Sequence, residues 1–314
     1  MFCEGKDPLF QKTSFRLLLS LLFGAAAYGA SWLPYASSFA APALMVVSAA
    51  CGGFPGALLA GGVFAALTLA VDGAGLLTLA VYAVVTALCA AAAFRFAKRS
   101  FHALVGSCGA VLAGMWAQVL AGFLLYGAAS VEALFTVDAQ AMPVLEAYYS
   151  LAGLNASSAA AAAAEAAALY GEMVPAVFLV TAMAAGLVGF ALGVPFFKGK
   201  TQFQVPRFSR WAMPKGHFLG AVLLVVVAYG GRALGLPGFS SVALAVNLFI
   251  LFAYSVQGLA VLWFLFSTSR LRLPARLIFT VVLGVVVNTN LVLVYLLDEL
   301  LMVRKRLPPG SASK

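Results

Sequence analysis

Residues 42–71 read PALMVVSAACGGFPGALLAGGVFAALTLAV, and no charged residue falls anywhere in the run. Apolar runs of this kind are what a helix needs to cross a bilayer, at about 20 residues per crossing. The CGGFPG at 51–56 interrupts it with three glycines and a proline, residues that end or bend helices. Two arrangements fit. Segments 39–52 and 55–71 are either two abutting spans or a re-entrant pair broken at CGGFPG, and the first segment is short for a full crossing. Both arrangements return the chain to the same side.

The rest of the chain is built likewise. Of 314 residues, 64% are apolar and 9% charged, with a mean hydropathy of +1.04. A soluble domain carries about 25% charge, so composition alone predicts an all-α, polytopic helical membrane protein in a lipid bilayer. Further spans are expected at 16–34, 74–96, 102–126, 173–197, 217–234, 239–267 and 276–298, for about 8–9 apolar spans in one integral membrane domain covering 1–314. The start of the chain, MFCEGKDPLFQKTSFRLLL, has no small-residue cleavage site, and reads as a short tail leading into a retained first helix.

Charge sets the expected orientation. Lys6, Lys12 and Arg16 precede the first span, Arg95, Lys98 and Arg99 follow that at 74–96, and Lys198, Lys200, Arg207, Arg210 and Lys215 lie within 198–215. Arg270, Arg272 and Arg276 follow 239–267. All four groups fit the cytoplasmic side of a plasma membrane, with a cytoplasmic N-terminus. No basic residue lies between Arg99 and Lys198, and the 127–172 connection carries Glu132, Asp138, Glu146, Glu165 and Glu172. That connection is expected outside the cell, as a lid or a spacer, with the alanine-rich 155–173 a surface helix running on into the next span. The C-terminal DELLMVRKRLPPG then falls outside too, against the charge rule. Either the last span is not a simple crossing, or a late charge cluster has little influence on topology.

Several function classes are excluded or unsupported. The net charge of +9 comes from clusters between spans rather than a basic face interleaved with aromatics, so nucleic acid is not an expected partner. GVPFFKGKT (193–201) has five residues between its first glycine and GKT where a phosphate-binding loop has four, and a span rather than a strand precedes it. Cys3, Cys51, Cys89 and Cys108 are scattered, and no His/Cys/Glu cluster has metal spacing. His102 and His217 each open a span without a carboxylate or thiol at ligand spacing, and Asp72, Asp298 and Glu299 sit at span ends. The expectation is therefore no enzyme, no metal and no cofactor.

Polar residues inside spans carry the functional reading. NLFILFAYSVQGLAVLWFLF (247–266) sets Asn247, Tyr254 and Gly258 on nearly one helical stripe, with Gln257 on its flank. VNTNLVLVY repeats the device with Asn288 and Asn290. Such amides should face the bundle, because an unsatisfied amide in lipid costs several kcal/mol. They fit a cavity for a small neutral or zwitterionic ligand, or equally hydrogen bonds that hold helices together. Small residues at four-residue spacing supply expected packing contacts, among them Gly56, Gly189 and Gly193.

Segment 42–71, with its proline-led short span, Gly-rich break and second Gly-containing span, resembles the early spans of S components of energy-coupling-factor vitamin transporters. The carboxyl half, through RWAMPKG (210–216) and NLFILFAYSVQGLAVLWF (247–264), resembles the YybS-like family of bacterial membrane proteins. The matching residues are Trp211, Pro214, Asn247, Gln257 and Gly258. The S-component resemblance implies an S-component-like bundle that binds a vitamin-like metabolite from outside and docks on a separate energising complex. Ala26 and Ala30 match the docking face that S components carry on their first span. This chain departs from that pattern by having more spans and a longer outer connection. A membrane scaffold or regulatory partner in envelope assembly or a developmental programme, without transport, is the alternative.

Overall fold

The computed structural model describes residues 13–33, 39–72, 77–137, 141–197, 208–214, 216–268, 272–287 and 290–306. Among these every regular element is helical, and the chain divides into two compact units, Met1–Val205 and Pro206–Lys314.

The first unit contains α1 (Thr13–Ser31), α2 (Ala40–Leu67, prolonged by a π-helical turn over Thr68–Asp72), α3 (Leu77–Phe96), α4 (Ser100–Tyr126), α5 (Ala128–Phe135), α6 (Met142–Leu151) and α7 (Ala156–Gly193). Helix α2 packs on α1, α3 and α7, and α4 packs on α3 and α7. The interior is built from small side chains: Ala60, Ala83, Ala87, Ala110, Ala182 and Ala185 are buried. Large ones such as Leu18, Leu22, Leu58, Val105, Leu120 and Leu192 point outward. A water-soluble bundle would be the reverse. In lipid, helices gain nothing by hiding leucine from hydrocarbon, whereas small residues let backbones approach.

Three contacts show how closely. A Cβ on Gly24 would lie 2.5 Å from the Ala60 carbonyl oxygen, one on Gly186 2.6 Å from the Cys108 backbone, and one on Gly189 2.8 Å from the Ala43 carbonyl. Gly56 and Gly193 are buried too, while Ala26 is exposed and Ala30 half-buried. The buried stripe of α1 is Arg16, Ser20, Gly24 and Ala27, so Ala26 lies on its other side.

At CGGFPG the chain folds back. Gly53 leaves helical geometry (φ 63°, ψ −147°), a conformation open to glycine and strained for other residues. A Cβ on Gly56 would sit 3.1 Å from the Ser48 carbonyl oxygen, whereas a straight helix separates residues so spaced by about 12 Å along its axis. The partners on α1 agree with a reversal. Before Gly53, Ser20 Oγ donates to the Ser48 carbonyl (3.4 Å) and Cys51 Sγ to that of Arg16 (3.6 Å), so this limb is antiparallel to α1. After it, Gly24 meets Ala60, and Tyr28 meets the Phe64 ring (6.0 Å) and Asp72 (3.1 Å), so the second limb is parallel to α1. Pro55 falls in the first turn of the second limb, where its missing N–H breaks no helical bond.

The 127–172 connection is not a loop. It consists of α5, α6 and the first part of α7, which both shorter helices contact. Asn155 starts α7: its Oδ1 accepts from the Ser158 amide (2.9 Å) and the Ser157 hydroxyl (2.9 Å), as an N-cap does. The alanine-rich stretch and the following span are one helix of 38 residues.

The second unit is arranged around α9 (Phe239–Thr268), with α8 (His217–Ala233), α10 (Leu273–Val287), α11 (Leu291–Leu301) and the short α12 (Val303–Arg306). A 3-10 turn over Phe208–Arg210 also packs on α9. Gly231 meets the Phe239 ring, Gly284 takes Leu259, and Gly258 lies against the Leu291 backbone. The expected span 276–298 is thus two helices, α10 and α11.

Among the described residues six helices are long and apolar enough to cross a membrane: α1, Ala40–Asp72, α3, α4, Ala156–Phe196 and Phe239–Ser267. The eight or nine spans expected are not all found among these, for three reasons. Segments 39–52 and 55–71 form one folded-back element, α8 has 17 residues, and the last span is divided.

Candidate functional site

The polar residues of the second unit gather near the middle of α9. Tyr254 and Gln257, one turn apart, are both 7% exposed. Facing Tyr254 are His217, the first residue of α8, and Tyr295 of α11, which is fully buried. The three rings form one cluster: His217–Tyr254 centroids are 5.9 Å apart and edge-on, His217–Tyr295 5.9 Å and Tyr254–Tyr295 5.3 Å. Antiparallel packing of α11 on α9 positions Tyr295, and close approach is possible because residue 258 has no side chain to hold the Leu291 backbone away.

Local sequence brings His217 in. Gly216 adopts a left-handed conformation (φ 85°), which turns the chain from Pro214 into α8. His217 Nδ1 then lies 3.0 Å from the Pro214 carbonyl, and Nε2 lies 2.8 Å from Tyr295 Oη. A carbonyl only accepts, so Nδ1 carries the hydrogen; in the neutral ring Nε2 accepts from the Tyr295 hydroxyl.

Two of the charges beside the cluster pair with each other. Arg304 Nε and Asp298 Oδ2 are 2.6 Å apart, the Arg304 amide donates to Oδ1 (3.0 Å), and Arg304 Nη1 donates to the Trp211 carbonyl (2.5 Å). Asp298 and Arg304 side chains are only 5% and 13% exposed, so the pair is sheltered from water. This contact joins the 208–214 segment to the C-terminal basic segment, which charge counting assigns to opposite sides.

What stays open is two oxygens. Tyr254 Oη and Gln257 Oε1 are buried without a hydrogen-bond partner. Such groups are rare in folded proteins and each calls for an explanation. The first unit has a comparable pair, Tyr82 Oη and Thr86 Oγ1. There α4 closes the space: a Cβ on Gly114 would overlap Thr86 Oγ1 and come within 2.8 Å of the Tyr82 ring.

Of the residues singled out from sequence, Tyr254 lies in the ring cluster, and Gln257 is buried one turn further along α9. Asn247 does not: it is exposed, two turns away, and its amide donates to the Tyr229 hydroxyl of α8. Asn290 is exposed at the start of α11, and Asn288 lies outside the described residues. His217 and Tyr295 were not anticipated. Among the described residues no group of three or more His, Cys, Asp or Glu could hold a metal ion.

The model of the family described as Predicted membrane protein (DUF2232) matches residues 17–297, and the chain belongs to that family. The YybS-like resemblance of the carboxyl half fits this family. No curated protein and no solved structure matches the chain.

Proposed function

We propose that this member of the family is a membrane-embedded binding protein for a small metabolite, which it holds in the second unit between α8, α9 and α11. The observation that carries this reading is the pair of open oxygens, Tyr254 Oη and Gln257 Oε1, both buried near the middle of α9, with the His217 and Tyr295 rings packed on that of Tyr254. Polar groups that brace helices can satisfy each other, as Asn247 and Tyr229 do. Here two members are left for something else. Broken helices beside such a cluster, like α10 and α11, are also how transporters build substrate sites.

Uptake is the activity we assign to the binding. The fold-back at CGGFPG and the exposed Ala26 next to half-buried Ala30 support kinship with S components, with energy supplied by a separate complex docked on α1. Under this reading the N-terminus and the 198–215 connection are cytoplasmic, α5 and α6 lie outside, and the first limb of α2 is re-entrant. At 1.5 Å per residue it reaches about 20 Å, short of a ~30 Å hydrocarbon core.

The test is a metabolite screen by thermal shift on purified protein, repeated with Gln257→Leu and Asn247→Leu. We expect a stabilising metabolite whose effect disappears in Gln257→Leu and persists in Asn247→Leu. Loss in both variants, or no stabilising metabolite at all, would reject the assignment.

A further inference from the structure

We infer that water reaches the depth of Tyr254, half-way along α9, from the face on which α9 ends, and that the C-terminal segment emerges on that same face. This concerns access to the second unit and holds whether or not a metabolite binds there. Helix α9 has 30 residues and spans about 45 Å, against a hydrocarbon core of ~30 Å. Tyr254 lies about 22 Å from either end of it, so however α9 is set across the core, Tyr254 is at least about 7 Å inside.

At that depth regular structure gives out. Helix α8 begins there, with the His217 ring 5.9 Å from that of Tyr254, and the 208–216 segment before it is not α-helical. Tyr295 of α11 lies 5.3 Å from Tyr254, and one turn later Asp298 meets Arg304 across the reversal at Met302. Arg304 also donates to the Trp211 carbonyl, so the C-terminal segment and the segment before α8 meet at one level. Beside these contacts Arg210, Glu299 and Arg306 are exposed, as is Asn290 at the start of α11. Hydrocarbon solvates neither irregular backbone nor charged side chains, so residues at this depth need protein or water around them. The chain leaves these four uncovered, and water is what remains. Helix α8 lies along the N-terminal half of α9, with Tyr229 on Asn247 and Gly231 on Phe239. The way in is therefore along the C-terminal half, which leads to Arg270, Arg272 and Arg276. A C-terminal segment that emerges there joins Arg304 and Arg306 to the other basic groups, and the conflict with the charge rule disappears.

Cysteine labelling tests this without any ligand. Full-length protein in sealed membrane vesicles of both orientations is treated with a charged, membrane-impermeant methanethiosulfonate, and labelling of each introduced cysteine is read by peptide mass spectrometry. Arg210→Cys and Ala212→Cys report on the segment before α8, and Ser311→Cys on the C-terminal segment. Leu277→Cys and Ile278→Cys occupy exposed positions of α10, which meets α9 at Gly284 and Leu259, and lie about 15 Å nearer the end of α9 than Tyr254 does. The expected result is labelling of Arg210→Cys, Ala212→Cys and Ser311→Cys from one face. Leu277→Cys and Ile278→Cys should react at least about a hundredfold more slowly, because hydrocarbon excludes both the charged reagent and the reacting thiolate. Rapid labelling of all five would place the edge of the bilayer at Tyr254 and overturn the inference. So would protection of both Arg210→Cys and Ala212→Cys, which means a dry segment, or labelling of Ser311→Cys from the opposite face. The metabolite screen shares none of these readouts, so either reading can fail alone.

Discussion

The two units solve the problem of holding helices together in hydrocarbon by different means. In the first, glycine and alanine bring backbones into contact: Gly24 on Ala60, Gly186 on Cys108, Gly189 on Ala43. Its buried hydroxyls mostly return their hydrogen bonds to their own helix, as Ser48 does to Met45 (2.7 Å), Thr68 to Phe64 (2.9 Å) and Ser107 to Ala103 (2.8 Å). In the second unit the polar bonds run between segments: His217 to Tyr295, Asn247 to Tyr229 and Arg304 to Trp211. Close packing leaves no room at the glycine contacts, even where Tyr82 Oη and Thr86 Oγ1 stay without a partner against Gly114. Bridging by long side chains creates polar surroundings inside the bundle, and there two oxygens remain available. A packed scaffold and a polar, bridged unit are thus different products of one apolar composition.

The contrast is most strongly tested at Gly186. Gly186→Val places a branched side chain where even a Cβ would meet the Cys108 backbone at 2.6 Å. Overpacking of this kind costs about 1–3 kcal/mol or more, because backbone must move. The expected outcome is a large drop in thermal midpoint or loss of monodisperse protein by size-exclusion chromatography. An unchanged midpoint means that α4 and α7 are not held by close approach.

Arg304→Met tests the second unit in the same units. Removing the cation strands a carboxylate that is 5% exposed, and breaking a buried pair this way costs about 3–5 kcal/mol at most. Its expected loss of stability in a denaturant titration should be recovered in part by adding Asp298→Asn, which removes the stranded charge. If the double variant is no better than the single, a stranded Asp298 charge is not what destabilises Arg304→Met.

The smallest effect has the opposite sign. Without ligand, Gln257→Leu replaces a buried oxygen lacking a partner, so it should raise the thermal midpoint slightly, by an amount equivalent to about 1 kcal/mol. A fall of similar size would mean that the amide braces helices, like Asn247, and the contrast between the units would narrow.

Much of this architecture was readable along the chain. Runs of apolar residues located the helices, and the glycines and proline of CGGFPG marked the fold-back, because both signals depend on neighbours in sequence. The site was half readable. Tyr254 and Gln257 stand out as polar groups in an apolar helix, yet nothing in the one-dimensional pattern distinguishes Gln257, buried and open, from Asn247, exposed and bonded to Tyr229. His217 reads as an interfacial histidine and Asp298 as a solvated acid at a span end. Their partners, Tyr295 and Arg304, come from elsewhere in the fold or from a reversal at Met302, whose left-handed backbone (φ 52°) returns the chain to Asp298.

By itself, then, the sequence determined the solvent and the element type: a chain this apolar must satisfy its backbone within helices, since lipid offers no hydrogen bonds. Which side chains share a space was decided only by tertiary structure. A donor is matched to an acceptor by distance and direction, and these arise when α8, α9 and α11 pack, leaving Tyr254 and Gln257 as the two groups without a match.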